Sequence, residues 1–481
     1  MNSLIVLRTL GMLLLCEAVA MLPPVVVALI YREDTVFAFL ISMAVAVLIG
    51  LMLFSIRVKN KIIRYKEGFA IVTFGWLAVS ILGALPFLFT GAITSFIDAF
   101  FETVSGFTTT GATVLEDIEV LPYSLLFWRS FTHWLGGMGI LVLALALAPA
   151  LGGGTFQILK AESPGPISTK LTPRVNNTAK ILYVTYTVIT AAEILLLYIG
   201  GMPLFDSFIH TFGTLGTGGF SLKNASIGAY GSVYFDTVIT FFMIASGVNF
   251  SLYYIMFKKR NLSGFIKDSE FKTYLSIIAV AILLVTLNLN GKVYSSIFES
   301  MRHASFQVAS IITTTGYTTT DFDIWPDLSR AVLFLLMFVG ACAGSTGGAM
   351  KVIRVHLAFK YMKREVNRLI HPRAVKAVKV GNVPVQEEVL SGVMAFTMFY
   401  ILIFITVTLL MAMQGHDLIS SAAATAATLG NVGPGFGIVG PTSTYYALSG
   451  FSKALLSFCM ILGRLEIYTV ITLLSPHFWK R

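Results

Sequence analysis

The chain predicts an all-α integral membrane protein. Two leading helices precede four hairpin repeats around a pseudo-fourfold axis, about 10 transmembrane helices and about 4 re-entrant ones in all. Three observations carry this. Of 481 residues, 56% are apolar and 12% charged, far from the soluble-domain norm. Apolar runs of roughly 20 residues, the length a bilayer core demands of a helix, recur from one end of the chain to the other. A pattern of long apolar helix, short amphipathic helix, Thr/Gly-rich loop, long apolar helix and basic linker appears four times.

The net charge of +10 is concentrated in particular segments. Residues 1–8, 57–67, 152–180, 258–272 and 351–380 and the extreme C-terminus hold 26 of the 34 Lys and Arg. That is the positive-inside asymmetry, and it places both termini in the cytoplasm. A nucleic-acid surface would need groove-reading or aromatic elements in a soluble fold; none is present, so nucleic acid is not an expected partner. Cys16, Cys342 and Cys459 all fall inside expected spans and form no disulfide framework. The apolar run after Arg8 lacks a small-residue cleavage site and reads as a retained helix.

The leading helices are expected at 9–30 and 36–56, joined by the turn Tyr31–Thr35. With the basic stretch Arg57–Lys66 they form a unit spanning 1–67. The repeats follow at 68–178, 179–272, 273–388 and 389–481. Each contains a helix too short to span, beside a Gly-rich loop. Such a segment is tolerated at depth only where it lines a cavity. The loops read TTTGAT (108–113), TLGTGGF (214–220), TTTGYTTTD (313–321) and LGNVGPGFG (429–437). Their glycines Gly111, Gly218, Gly316 and Gly433 fall 107, 98 and 117 residues apart, which marks internal repetition. One such loop alone would pass for an ordinary turn; the inference rests on four in register. All four lie opposite the basic linkers, so the repeats are parallel, unlike the inverted repeats of many transporters.

This chemistry suits a dehydrated monovalent cation, which needs several oxygens that replace water without binding too tightly. Rings of backbone carbonyls do so. Turning consecutive carbonyls toward one axis requires positive φ, which glycine adopts readily, and threonine adds hydroxyl oxygens. The short helices aim their negative C-terminal ends at the axis. Asp98, Asp206, Glu299 and Asp417 sit near their N-terminal ends, where an acid serves the dipole or simply caps the helix. Two rival classes are weaker. A secondary symporter needs buried acids at unwound midplane helices; Glu17 and Glu193 lie in or near spans, without a paired inverted repeat. A membrane enzyme needs a nucleophile or metal motif, and His133, His210 and His303 are scattered without such spacing.

The four loops resemble those of the Trk, Ktr and HKT potassium transporter family over essentially the whole chain. The two leading helices and the length are more similar to the TrkH branch than to the shorter KtrB branch. The resemblance implies four units of first helix, pore helix, filter and second helix. It implies a potassium filter lined by Thr109, Thr110 and Gly111, by Gly216, Thr217 and Gly218, by Thr314, Thr315 and Gly316, and by Asn431, Val432 and Gly433. Relatives with serine at the first-repeat glycine conduct sodium; Gly111 favours potassium, with rubidium and sodium as further permeant ions. The second and fourth loops lack the Thr-Thr-Gly triplet, which leaves their register open by about one residue.

Residues 340–350 read GACAGSTGGAM, a run too rich in glycine for a straight helix. Close helix packing through small residues and an unwound crossing segment both fit; a phosphate loop lacks its Gly-Lys-Ser/Thr ending. The resemblance points to an intramembrane gating loop containing Gly344, Ser345, Thr346, Gly347 and Gly348, with Lys351 just beyond. Arg464 lies about two-thirds along the last expected span, where a charge either snorkels or meets a partner. Its expected role is to donate to carbonyls of the 341–349 loop and place positive charge beneath the filter. The resemblance further implies a bacterial plasma-membrane homodimer and a cytoplasmic ring of TrkA-type subunits that binds the regulatory nucleotide. This chain itself is expected to hold no cofactor beyond potassium.

Overall fold

The computed structural model describes residues 1–58, 63–139, 175–258, 262–372, 376–381 and 383–479. Helices account for nearly all of its regular structure. The exception among the described residues is a two-stranded antiparallel ribbon, Lys379–Val380 against Val383–Pro384.

The N-terminal span begins as α1 (Ser3–Ala20) and continues as α2 (Leu22–Tyr31). Pro23 and Pro24 at the start of α2 account for the break, because proline is tolerated in a first turn and not inside a helix. α3 (Val36–Phe54) packs on α1 where Gly11 meets Gly50. A Cβ on Gly11 would lie 2.7 Å from the Gly50 carbonyl oxygen, the close backbone approach that small residues permit in membranes. α4 (Tyr65–Gly83) follows. Then comes the first short helix, α5 (Phe96–Phe107), and α6 (Tyr123–Gly137). The basic linker expected at 152–180 falls mostly outside the described residues.

The same order recurs. α7 (Val175–Ile199), short α8 (Leu204–Gly216), α9 (Val233–Ser246) and α10 (Phe250–Lys258) are followed by α11 (Ser269–Leu289), short α12 (Ile297–Ile312), α13 (Asp327–Val339) and α14 (Val352–Ile370). α15 (Glu387–Ala412), short α16 (Leu418–Leu429), α17 (Gly450–Arg464) and α18 (Tyr468–Leu474) complete the series. The short helices hold 12, 13, 16 and 12 residues, or about 18 to 24 Å at 1.5 Å per residue. None reaches across a bilayer core.

The helices after the loops differ from expectation. Among the described residues six helices are long and apolar enough to span, and up to eight if each bent pair counts as one, against about ten expected. α9 and α10 meet at 94°, and α17 and α18 at 118°. α13 stops at Gly340 (φ 74°), and α6 stops before Gly139 (φ 72°). The expected long final helices therefore end or bend just beneath the loops, at three places the sequence reading did not mark besides 340–350.

Candidate functional site

All four short helices end in the same way. Thr109, Thr217, Thr314 and Asn431 take φ of 55, 57, 60 and 54°, the left-handed conformation of a helix C-terminus. The amide of the next residue then closes a bond back into the helix: Thr110 to Ser105 O (2.9 Å), Gly218 to Gly213 O (2.8 Å), Thr315 to Ser310 O (2.8 Å) and Val432 to Ala427 O (2.7 Å). These are the six-to-one bonds of a Schellman motif. One residue later a glycine again has positive φ, at Gly111 (82°), Gly219 (76°), Gly316 (81°) and Gly433 (96°).

The second loop is thereby corrected by one residue. The expected set was Gly216, Thr217 and Gly218; the corresponding set is Thr217, Gly218 and Gly219. Gly216 is the last helical residue of α8, packed where a Cβ would meet His133 O at 2.5 Å. Three glycines within four residues hid the register. The other loops keep theirs, at Thr109–Gly111, Thr314–Gly316 and Asn431–Gly433.

The loops close a ring in chain order. A Cβ on Gly111 would lie 2.0 Å from Gly218 O, one on Gly219 2.0 Å from Thr315 O, one on Gly316 2.2 Å from Val432 O, and one on Gly433 2.5 Å from Thr110 O. Each glycine is required twice, by its φ and by the neighbouring loop's carbonyl. β-Branched threonine at three left-handed positions is uncommon and costs about 1–3 kcal/mol each, a cost that concentrates at functional sites.

Side chains behind the ring hold it. Glu102 of α5 receives Arg129 Nε of α6 at 2.5 Å, and both are buried. Glu102 also accepts from Thr113 Oγ1 (3.0 Å) and Val114 N (2.9 Å), while Arg129 donates to Ser221 O at 3.0 Å. The pair thus ties the first loop to the second. His133 Nδ1 lies 2.7 Å from Gly106 O, with its ring against Gly218. Tyr317 donates to His210 O at 2.9 Å. Among the helix-start acids, Asp417 caps Ser420 N (3.0 Å), Asp98 pairs with Lys453 (2.8 Å), and Asp206 accepts from Tyr230 (2.6 Å). Glu299 occupies the first turn of α12. On the outer rim the hydrogen bond from Lys223, 3.0 Å away, holds the Glu119 carboxyl below its ordinary range.

Beneath the ring, residues 340–351 are unwound between α13 and α14. Gly348 N donates to Thr314 Oγ1 at 2.7 Å, and a Cβ on Gly347 would lie 2.9 Å from Thr313 O. Lys351 Nζ bonds Gly347 O. Thr346 Oγ1 reaches Ser246 O at 3.2 Å. Gly344 and Ser345 lie farther off; Gly344 O accepts from Phe250 N at 3.0 Å, across the α9–α10 bend. Arg464 is the last residue of α17, where expectation put it within a continuous span. Its guanidinium donates to Thr346 O (2.8 Å), Thr109 Oγ1 (3.2 Å), Gly137 O (3.0 Å) and Gly136 O. It therefore joins the unwound segment, the first loop and the end of α6.

Two charged residues here, Glu270 and Arg354, escaped the sequence reading. Glu270 accepts from Ala343 N (2.6 Å) and Ile353 N (3.2 Å), one at each end of the unwound segment. Arg354 pairs with Glu466 in the buried α17–α18 break. Long separations along the chain left no local pattern to find them by. Among the described residues no group of three or more His, Cys, Asp or Glu could hold a metal.

A family model described as TrkH, cation transport protein, matches residues 35–481. The chain is 41% identical over 477 residues to the Trk system potassium uptake protein TrkH of Escherichia coli K12, covering 98% of each. It is 39% identical over 485 residues to the protein of the same name from Halomonas elongata, covering 100% of each. The crystal structure of the potassium transporter TrkH from Vibrio parahaemolyticus superposes with a TM-score of 0.90 at 37% identity, covering 100% of both chains.

Proposed function

The chain belongs to the TrkH family of cation transport proteins, and on that footing we propose that it takes up potassium across the bacterial plasma membrane through a selective, channel-like pore. The observation that carries the reading is the ring of loops, each glycine seated against the next loop's carbonyl. Carbonyl layers at such a ring replace the hydration shell of a potassium ion. The reading makes the four hairpins a pseudo-fourfold pore. Thr109–Gly111, Thr217–Gly219, Thr314–Gly316 and Asn431–Gly433 form the filter.

The unwound segment 340–351 with Arg464 is the gate in this reading. It plugs the path under the filter, and Arg464 adds a positive charge there that repels the ion. A cytoplasmic TrkA-type ring that binds nucleotide would act on it through the basic segments 258–272 and 351–380. The membrane subunit would be a homodimer with both termini in the cytoplasm. Symport of potassium with protons or sodium is the second reading, favoured by Glu17, a carboxyl buried within α1, as proton-coupled carriers require. Rubidium flux that needs a proton gradient would select symport.

The filter is tested by the reversal potential of purified protein in opposed potassium and sodium gradients. Gly316→Ser is expected to reduce the potassium preference at least about tenfold, the loss of about 1.4 kcal/mol of discrimination. An unaltered reversal potential refutes the filter assignment.

A further inference from the structure

The ring has a donor on one corner that the other three lack. Tyr445, in the segment between the fourth loop and α17, is 2% exposed and donates its hydroxyl to Gly433 O at 2.7 Å. Its own backbone is anchored, with Tyr445 N on Thr113 O at 2.8 Å and its ring centroid 5.4 Å from that of Phe101. No described group donates to the carbonyl oxygens of Gly111, Gly219 or Gly316. All four glycines and Tyr445 line one cavity of about 130 Å³ on the outer side of the ring.

The geometry points to Tyr445 as an affinity-setting positioning residue that weakens one carbonyl of the outermost ion layer. This rests on the filter reading above. The hydrogen bond occupies one of the two lone pairs of Gly433 O and draws charge from it, so this carbonyl is a poorer ion ligand than its three counterparts. The outermost layer then offers an ion three glycine carbonyls free of a donor instead of four. An ion entering from outside keeps part of its water there, so the site is weak enough to hand the ion inward; conduction needs entry sites that bind without trapping.

Removing the hydroxyl alone leaves Gly433 O as a buried acceptor without a donor, a costly state. Its cheapest remaining partner is the cation in the cavity. Tyr445→Phe is therefore expected to lower the KM for potassium uptake about 3- to 10-fold and to lower the maximal rate as well, because a tighter outer site releases its ion more slowly. The melting temperature of the purified variant should reach half its potassium-induced rise at a correspondingly lower potassium concentration. An unchanged KM, a raised KM, a fall in maximal rate alone, or failure to recover folded Tyr445→Phe protein would each overturn the inference. Gly316→Ser run in parallel separates the levels. If neither variant changes ion preference or affinity, the filter reading fails. If only Gly316→Ser does, the fault lies with Tyr445.

Discussion

The ring and the layer beneath it follow opposite rules. At every corner of the ring the same backbone bonds recur: a left-handed residue, a six-to-one amide, and a glycine under the next loop's carbonyl. In the layer beneath, no two corners match. The first is held by the Arg464 guanidinium, the third by the Gly348 amide, and the fourth through Asn431 Nδ2, which donates to Thr110 Oγ1 (3.0 Å) and Met460 O (2.9 Å). At the second, Thr217 satisfies its own hydroxyl on Gly216 O. If the ring coordinates an ion as proposed, a spherical cation rewards equivalent oxygens, so backbone does the work and side chains vary. If the layer beneath is the proposed gate, blocking a path needs one movable piece with a latch, and a latch used once has no reason to be repeated.

The comparison is broken most severely at a ring glycine. Gly111→Ala must hold an alanine at φ 82° with its Cβ 2.0 Å from Gly218 O, and backbone cannot yield as a flexible side chain would. Potassium-dependent growth of an uptake-deficient host should fall to background, and rubidium flux by at least about 100-fold, while folded protein is still recovered. Retained flux would show that the ring tolerates unequal corners.

The ring was legible in the chain because its requirement is compositional: glycine at each crossing, with threonine just ahead of it in three of the four loops. Where composition saturates, as with Gly216, Gly218 and Gly219, pattern could not fix the register and only the helix-end bonds did. The layer beneath was half legible. Its glycine-rich segment at 340–350 announced itself, but the α17–α18 bend did not. Glu466 and Ile467 hold φ of 54 and 48° with no glycine or proline to signal it. Tertiary contacts impose that turn, among them the buried Arg354–Glu466 pair. Arg129 with Glu102, and Glu270 with the two ends of the unwound segment, are likewise pairings that only the fold brings together.

The layer beneath should yield in the opposite sense, with a gain of flux. Arg464→Ala removes donors to Thr346 O, Thr109 Oγ1, Gly136 O and Gly137 O together with the charge beneath the ring. Charge-assisted bonds of this kind are worth about 1.5–3 kcal/mol each. Proteoliposome rubidium flux without any partner subunit should rise about tenfold or more. Arg464→Lys should fall between, since an ammonium keeps the charge but cannot span the acceptors as a guanidinium does. Unchanged flux in the folded Ala variant would leave the layer structural, and the contrast with the ring would lose its functional meaning.

Thr314 is the finest test, because it belongs to both regions. Its backbone is a corner of the ring, and its hydroxyl receives the Gly348 amide from below at 2.7 Å. Thr314→Val keeps the branched shape and removes the acceptor, leaving Gly348 N–H unsatisfied at a cost of about 1–3 kcal/mol to the closed arrangement. If the hydroxyl serves the latch, resting flux rises about two- to fivefold, less than for Arg464→Ala because Arg464 and Lys351 still hold the segment. Thr314→Ser, which restores the acceptor, should then return flux to the unmodified level. If the hydroxyl serves the ion, Val instead lowers flux and shifts the reversal potential toward sodium. The two outcomes cannot be mistaken for one another, and the second would mean that the ring, like the layer beneath it, depends on a side chain at one corner.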